Sequence, residues 1–188
     1  MRASRERDRG ARRRRSLSRR HADLRSSRGG GREAEAETAG VMRDALEIVP
    51  ATRADLDAVH AIEEASFPAP WRREFFEGEL AAAGRFNIVA KRHGVVAGYL
   101  FSMWIFDEMH VNKIAVAESA RRCGIADALM ARCFAFAREH GVVSIALEVR
   151  KSNDGAQAFY RHLDFETSYI RPRYYPDGEA AVVMTRAI

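Results

Sequence analysis

An apolar run, Ile114-Ala115-Val116, leads into Arg121-Arg122-Cys123-Gly124-Ile125-Ala126-Asp127, and this order of residue types suits an anion site. A strand entering a loop and then a helix leaves free backbone N–H groups at the helix start, where the helix dipole favours negative charge. Arginine adds fixed positive charge, and Gly124 permits close approach of a ligand to the backbone. The stretch lacks GxxxxGK[ST], and the chain has no GxGxxG. An isolated R-x-x-G-x-A is often only a turn; here an apolar strand precedes it and Ile145–Val149 reads as another after it.

In that second strand Val143, Ile145, Leu147 and Val149 share one face, leaving Ser144, Ala146 and Glu148 on the other. A carboxylate within so apolar a strand is costly unless it is paired or functional. On spacing alone, a general base weighs equally with an ion pair to Arg150 or Lys151 or an edge position in water. Tyr160 falls on a helix whose expected packing stripe is Ala156, Phe159 and Leu163, so it should look sideways from that stripe. Asn153 stands where it can cap the same helix. Cys123 lies near a helix N-terminus, which lowers a thiol's pKa, but no His–Asp relay stands beside it and it is read as incidental. Trp71 and Tyr174-Tyr175 lie in proline-bearing loops, a placement that favours a binding rim over ordinary core packing.

The elements that must carry these groups are legible. Leu46–Val49 reads as a strand, and Thr52 is a cap for a helix over Asp55–Phe67, with Leu56, Val59, Ile62 and Ala65 at helical spacing. Phe67-Pro68-Ala69-Pro70-Trp71 breaks it, and Arg72–Ala83 reads as a shorter helix. Strands are expected at Phe86–Arg92, Val95–Trp104 and Met109–Val116, the first two joined at His93-Gly94. Arg122–His140 reads as a helix with Ile125, Leu129, Cys133 and Phe136 on one stripe, ended by Gly141. Val142–Val149 is the next strand and Asp154–Leu163 a helix; Phe165–Ile170 and Ala180–Thr185 are the last strands. The mix implies an α/β domain around a central, partly parallel sheet.

The 188 residues suit one domain with an appendage, and 47% hydrophobic residues suffice for a core. No apolar run approaches the ~20 residues of a membrane span. The net charge of +5 is uneven: residues 1–44 hold fourteen arginines against seven acids, whereas residues 45–188 carry a net −2. The basic charge therefore belongs to the extension, and charge does not make the body a nucleic-acid binder. Residues 1–44 are expected to be disordered, because they offer too little apolar surface to offset ordering entropy. Nucleic acid is a partner only through this arm. The first hydrophobic segment begins at Leu46, which favours a native start at Met42. Cys123 and Cys133 form neither a disulfide framework nor a metal knuckle, and no histidines pair at metal-ligand spacing; a reducing cytoplasmic setting and no metal are expected.

From Leu46 onward the chain resembles the GNAT family of N-acetyltransferases. Arg121-Arg122-Cys123-Gly124-Ile125-Ala126 fits that family's acetyl-CoA signature, Q/R-x-x-G-x-G/A. Leu147–Asn153, Ala158-Phe159-Tyr160 and Arg173-Tyr174-Tyr175-Pro176 are similar to its RimI branch, the ribosomal-protein N-terminal alanine acetyltransferases. Phe67-Pro68 with Trp71, and Asp107-Glu108, match the same branch. Ala126 departs from the commoner second glycine, Asp164 from a usual L-G-F, and Pro172-Arg173 from the run before the paired tyrosines. The resemblance implies a GNAT fold, a mixed sheet flanked by helices, over residues 45–188. It implies acetyl-CoA on Arg122, Cys123, Gly124, Ile125, Ala126, Asp127 and Asn153, with pantetheine beside Ile114, Ala115 and Val116. It further implies Glu148 as base, Tyr160 as acid to the CoA thiolate, and Trp71, Asp107, Glu108, Tyr174 and Tyr175 at the acceptor. The implied partner is a protein N-terminus, the N-terminal alanine of small-subunit ribosomal protein eighteen, with no membrane. Another N-terminus, a small-molecule amine, or a non-catalytic CoA-binding module associated with ribosomes are the alternatives.

Overall fold

The computed structural model describes residues 46–188. The expected disordered extension, residues 1–44, and the expected start at Met42 lie outside the described residues. Seven strands, β1 (Leu46–Pro50), β2 (Arg85–Arg92), β3 (Val95–Ile105), β4 (Glu108–Val116), β5 (Ser144–Arg150), β6 (Glu166–Arg171) and β7 (Ala181–Ala187), form one sheet. Its order is β1-β2-β3-β4-β5-β7-β6. Neighbours are antiparallel except β4 and β5, which run parallel. Four helices, α1 (Leu56–Ser66), α2 (Arg73–Ala81), α3 (Ile125–Glu139) and α4 (Asp154–His162), complete the fold. The parallel pair needs a long crossover, and α3 supplies it.

Local chemistry accounts for the joints. His93 and Gly94 both take positive φ, 53° and 76°, the condition for a two-residue turn whose twist matches the β2–β3 hairpin. Thr52 precedes a 3-10 turn, Arg53–Asp55, and its N–H and hydroxyl both donate to Asp55 Oδ2 at 2.9 and 2.7 Å. The first helix therefore starts at Leu56, one residue later than its apolar spacing suggests. The third begins at Ile125 rather than Arg122, because Arg122 and Gly124 take φ of 62° and 75° and cannot continue a right-handed helix backwards. The expected strand at Val142 begins at Ser144; Val142 is buried but Val143 is exposed, outside the ladder.

The sheet divides two apolar layers. On one face Ile125, Leu129, Met130, Cys133, Phe134 and Ala137 of α3 bury against Leu100, Met109, Val111, Ile145 and Leu147. Each such large side chain contributes about 1.5–3 kcal/mol on burial. On the other face Leu56, Val59, Ile62 and Phe76 of α1 and α2 cover Val89, Tyr99, Phe101 and Ala115. Gly98 is the close-approach point of the first layer. A Cβ there would meet Ala115 O at 3.0 Å and Ile125 Cγ2 at 3.1 Å, so glycine lets the start of α3 seat on β3 and β4.

Candidate active site

The parallel pairing of β4 with β5 runs from Glu108–Ser144 to Val111–Leu147 and stops. Beyond it, Asn112–Val116 stay beside β3 and Glu148–Arg150 stay paired to β7, with no mutual ladder among the described residues. The two strands part, and Asn112 marks the place. Phe101 opposes Lys113 while Ser102 opposes Val111, so Asn112 is the extra residue of a bulge. The opening lies between Ile114-Ala115-Val116 on one side and Glu148 on the other. A ligand with amide groups could pair with the bared edge of β4 as an added strand.

At the top of this opening sits the turn before α3. The first helical bond there runs from Ala128 N–H to Gly124 O at 3.0 Å, which leaves the amides of Ile125, Ala126 and Asp127 without an intrahelical partner. Arg122, Cys123 and Asp127 are exposed, and nothing lies within 4 Å of where a Gly124 Cβ would sit. That open cradle and the row of amides fit a pyrophosphate. Ile125, by contrast, is 2% exposed and packs into the core, so only its amide faces the cradle. Arg121 donates from Nε to Val116 O at 3.3 Å, tying the turn to the end of β4. Asn153 caps α4, Oδ1 accepting from Ala156 N–H at 3.0 Å, and stays exposed.

Glu148 faces away from α3, as the alternation of β5 requires. Its partners are neither Arg150 nor Lys151. His110 Nε2 lies 2.6 Å from Oε2, and Arg171 Nη1 donates to Oε1 at 2.8 Å. The His110 hydrogen bond and the Arg171 guanidinium hold the carboxyl below its ordinary range, against the burial that pulls it up. Arg150 instead bonds Asp177 at 2.8 Å and Glu179 at 2.6 Å and stacks over Tyr175, 4.0 Å from the ring centroid. Glu179 also accepts from Ser152 N–H at 2.8 Å. Hydrogen bonding from Ser152, and then from Arg150, lowers its pKa to about 2. These contacts pin the loop between β6 and β7 onto the end of β5.

That loop brings Tyr174 and Tyr175 close enough to Glu148 to feel its charge. Arg171 lies over Tyr174, 4.6 Å from its centroid, and the two tyrosine rings meet edge to face at 5.1 Å. Burial raises Tyr175 to about 12, and the nearby Glu148 charge adds to it. Tyr160 differs from its expected sideways placement. It is 7% exposed, packed on Phe159 and Phe165, whereas Ala156, Phe159 and Leu163 are half-buried. The face of α4 toward the sheet is set by Gln157, whose Nε2 bonds Arg150 O and Lys151 O, and that face carries Tyr160 inward. Burial first, and Tyr175 second, push its phenol well above the ordinary value.

Trp71 sits in the loop between α1 and α2, on the same face of the sheet as Glu148, its ring tilted on Phe76 at 5.4 Å. Asp107 and Glu108 are not brought to the opening. Asp107 O accepts from Val143 N–H at 2.7 Å, and Glu108 begins the paired end of β4. They close the β3–β4 hairpin against β5, a role set by register that residue type does not reveal. His110 and Arg171 had no signal in the sequence, being distant from Glu148 along the chain. The even spacing of His110 and Glu148 on adjacent strands becomes informative only once the register is known.

The acetyltransferase (GNAT) family model matches residues 56–165, from α1 to the start of β6. The chain belongs to the GNAT family. As a GNAT protein it is an acetyl-CoA-dependent N-acetyltransferase, with acetyl-CoA as co-substrate. The ribosomal protein bS18-alanine N-acetyltransferase of Escherichia coli K12 is 32% identical over 137 residues, covering 71% of this chain and 92% of that one. An N-alpha-acetyltransferase of Saccharolobus solfataricus is 33% identical over 147 residues, covering 71% and 88%. The crystal structure of the Escherichia coli ribosomal-protein-S18-alanine N-acetyltransferase superposes with a TM-score of 0.72 at 31% identity, covering 77% of this chain and 94% of that chain. Among the described residues, no helix of this GNAT chain is long and apolar enough to cross a membrane.

Proposed function

We propose that this enzyme acetylates the α-amine of a protein N-terminus, and that its acceptor is the N-terminal alanine of ribosomal protein bS18, in the cytoplasm. The observation that carries the reading is Glu148 at the parting of β4 and β5, held by His110 and Arg171 and walled by Tyr174. The relatives at 32–33% identity that cover over two thirds of the chain support the acceptor class.

Acetyl-CoA bound in the opening supplies an activated acetyl thioester. The amides of residues 122–127 hold its pyrophosphate, Asn153 assists, and the bared edge of Ile114, Ala115 and Val116 aligns the pantetheine. A backbone N–H of that edge would stabilise the negative charge developing on the thioester oxygen. Glu148 takes a proton from the acceptor's ammonium through a water. An α-ammonium loses its proton at about pH 7.7–8.0, so a single weak carboxylate base suffices. Both carboxylate oxygens already accept one hydrogen bond, and each keeps a further lone pair for that water. His110 positions the carboxylate. Tyr160, kept protonated by burial, donates to the departing thiolate. Trp71, Tyr174 and Tyr175 form the acceptor's rim, and residues 45–188 suffice for the chemistry.

Turnover on an Ala-initiated bS18 peptide, compared with lysine side chains and an aminoglycoside, tests this. Acetylation of the peptide α-amine alone is expected. Preference for a small-molecule amine would overturn the acceptor, and acetyl-CoA binding without turnover on any amine would indicate a non-catalytic module.

A further inference from the structure

A buried charge pair outside the machinery described so far joins the cofactor strand to the acceptor's rim. Alternation along β4 places Met109 and Val111 toward α3. Without the bulge, Lys113 would follow them into that apolar layer. The extra residue Asn112 switches the faces, so Lys113 and Ala115 turn toward α1. There Lys113 Nζ donates to Oε1 of Glu63 at 2.6 Å, with the Lys113 side chain 14% and Glu63 0% exposed.

Glu63 is the anchor of the loop between α1 and α2. Its backbone carbonyl accepts from Phe67 N–H at 3.0 Å, and its Oε1 accepts from Trp71 N–H at 2.8 Å. Tyr99 donates its hydroxyl to the other carboxylate oxygen. The Lys113 ammonium lies over the Phe67 ring, 3.9 Å from its centroid, and 5.3 Å from that of Trp71. Both ends of the loop, Phe67 and Trp71, are thus held by one cation and one carboxylate. A desolvated cation over an aromatic face is a strong contact, and it is directional.

We propose that Lys113 is a positioning residue for acceptor specificity: with Glu63 it sets the distance between the Phe67–Trp71 loop and the strand that carries Ile114. Lys113 touches neither reacting atom. It transmits the placement of β4 to the rim, so that the rim closes on an acceptor of one depth. This rests on the acceptor site proposed above.

Removing one charge alone would leave the other buried and unpaired. The test therefore uses the double variant Lys113→Met/Glu63→Gln, in which the new amide oxygen still accepts from Trp71 N–H. Its KM for the Ala-initiated peptide should rise about tenfold, the worth of the lost cation contacts, with kcat and the KM for acetyl-CoA within about twofold. Hydrogen exchange at the Trp71 amide should quicken in the same variant. Unchanged peptide KM in the folded variant would overturn the proposal, and so would equal rises for peptide and acetyl-CoA. If the double variant does not fold, Lys113→Arg decides. Its forked guanidinium should loosen the loop and raise peptide KM, whereas wild-type KM and Trp71 exchange would overturn the idea. Absence of peptide acetylation by the wild type would instead refute the acceptor assignment, with Trp71 exchange still reporting on the loop.

Discussion

The imidazole Nε2 of His110 lies 2.6 Å from Oε2 of Glu148, across the parallel pair β4–β5. His110 registers with Ala146, so Glu148 is the next residue on the same face, just past the last rung of the ladder. The pair thus stands where the strands separate. A carboxylate there is reachable from the opening, and its imidazole partner stays on the paired side.

Glu148→Gln keeps the shape and should keep acetyl-CoA affinity, while turnover on an Ala-initiated peptide falls by about 10²–10⁴-fold. The deficit should shrink at high pH, where the amine is neutral without help. Tyr160→Phe should also lower turnover but share none of that alkaline recovery, since its proton goes to the thiolate. Turnover against pH at saturating acetyl-CoA measures both, and wild-type turnover in Glu148→Gln would return that residue to a strand carboxylate held by an ion pair.

Arg171→Gln removes one of the two partners that depress Glu148. A carboxyl with a depressed pKa adds stability above its unfolded value, and that stability is lost as pH falls through the folded one. The variant should therefore titrate Glu148 at higher pH and lose its share of stability earlier on acidification. A carboxyl-carbon NMR titration of wild type and variant would read the shift. His110 should keep the value below the ordinary range even then, because its hydrogen bond is the larger cause.

Gly124→Val should abolish acetyl-CoA binding in calorimetry. The position combines a φ of 75° with open space, so a branched side chain is both strained and set into the cradle. Arg122→Ala should weaken binding by only ~1.5–3 kcal/mol, one charge-assisted hydrogen bond. Small and equal effects would make the turn merely a turn.

A chain beginning at Met42 should keep its melting temperature and its turnover on free peptide. The expectation follows from composition: residues 1–41 offer too little apolar surface to join a packed core. Loss of folding would move the domain boundary. A steep salt dependence on ribosomal particles, present only with residues 1–41, would make the arm a nucleic-acid tether.

Periodicity located all seven strands and four helices, because the alternation in Ser144–Val149 and the stripe Ile125, Leu129, Cys133 are local properties of the chain. The glycine-bearing turn after an apolar strand was equally local, as was the cost of placing Glu148 in such a strand. Residue order alone therefore sets the α/β class, the glycine-bearing turn and the carboxylate within an apolar strand. Tertiary structure decided the rest. Whether Tyr160 or Phe159 turned inward depended on which face of α4 met the sheet, and Gln157 anchored that face to the end of β5. Asp107 and Glu108 fell at the paired end of β4 because register, not composition, measures distance along a sheet. His110, Arg171, Glu63 and Lys113 gained their partners from segments 23 to 50 residues away, through a single-residue bulge and a loop pinned by Glu179. Such pairings are fixed only when the apolar faces close, since the burial that sets the strand register is shared by the whole sheet.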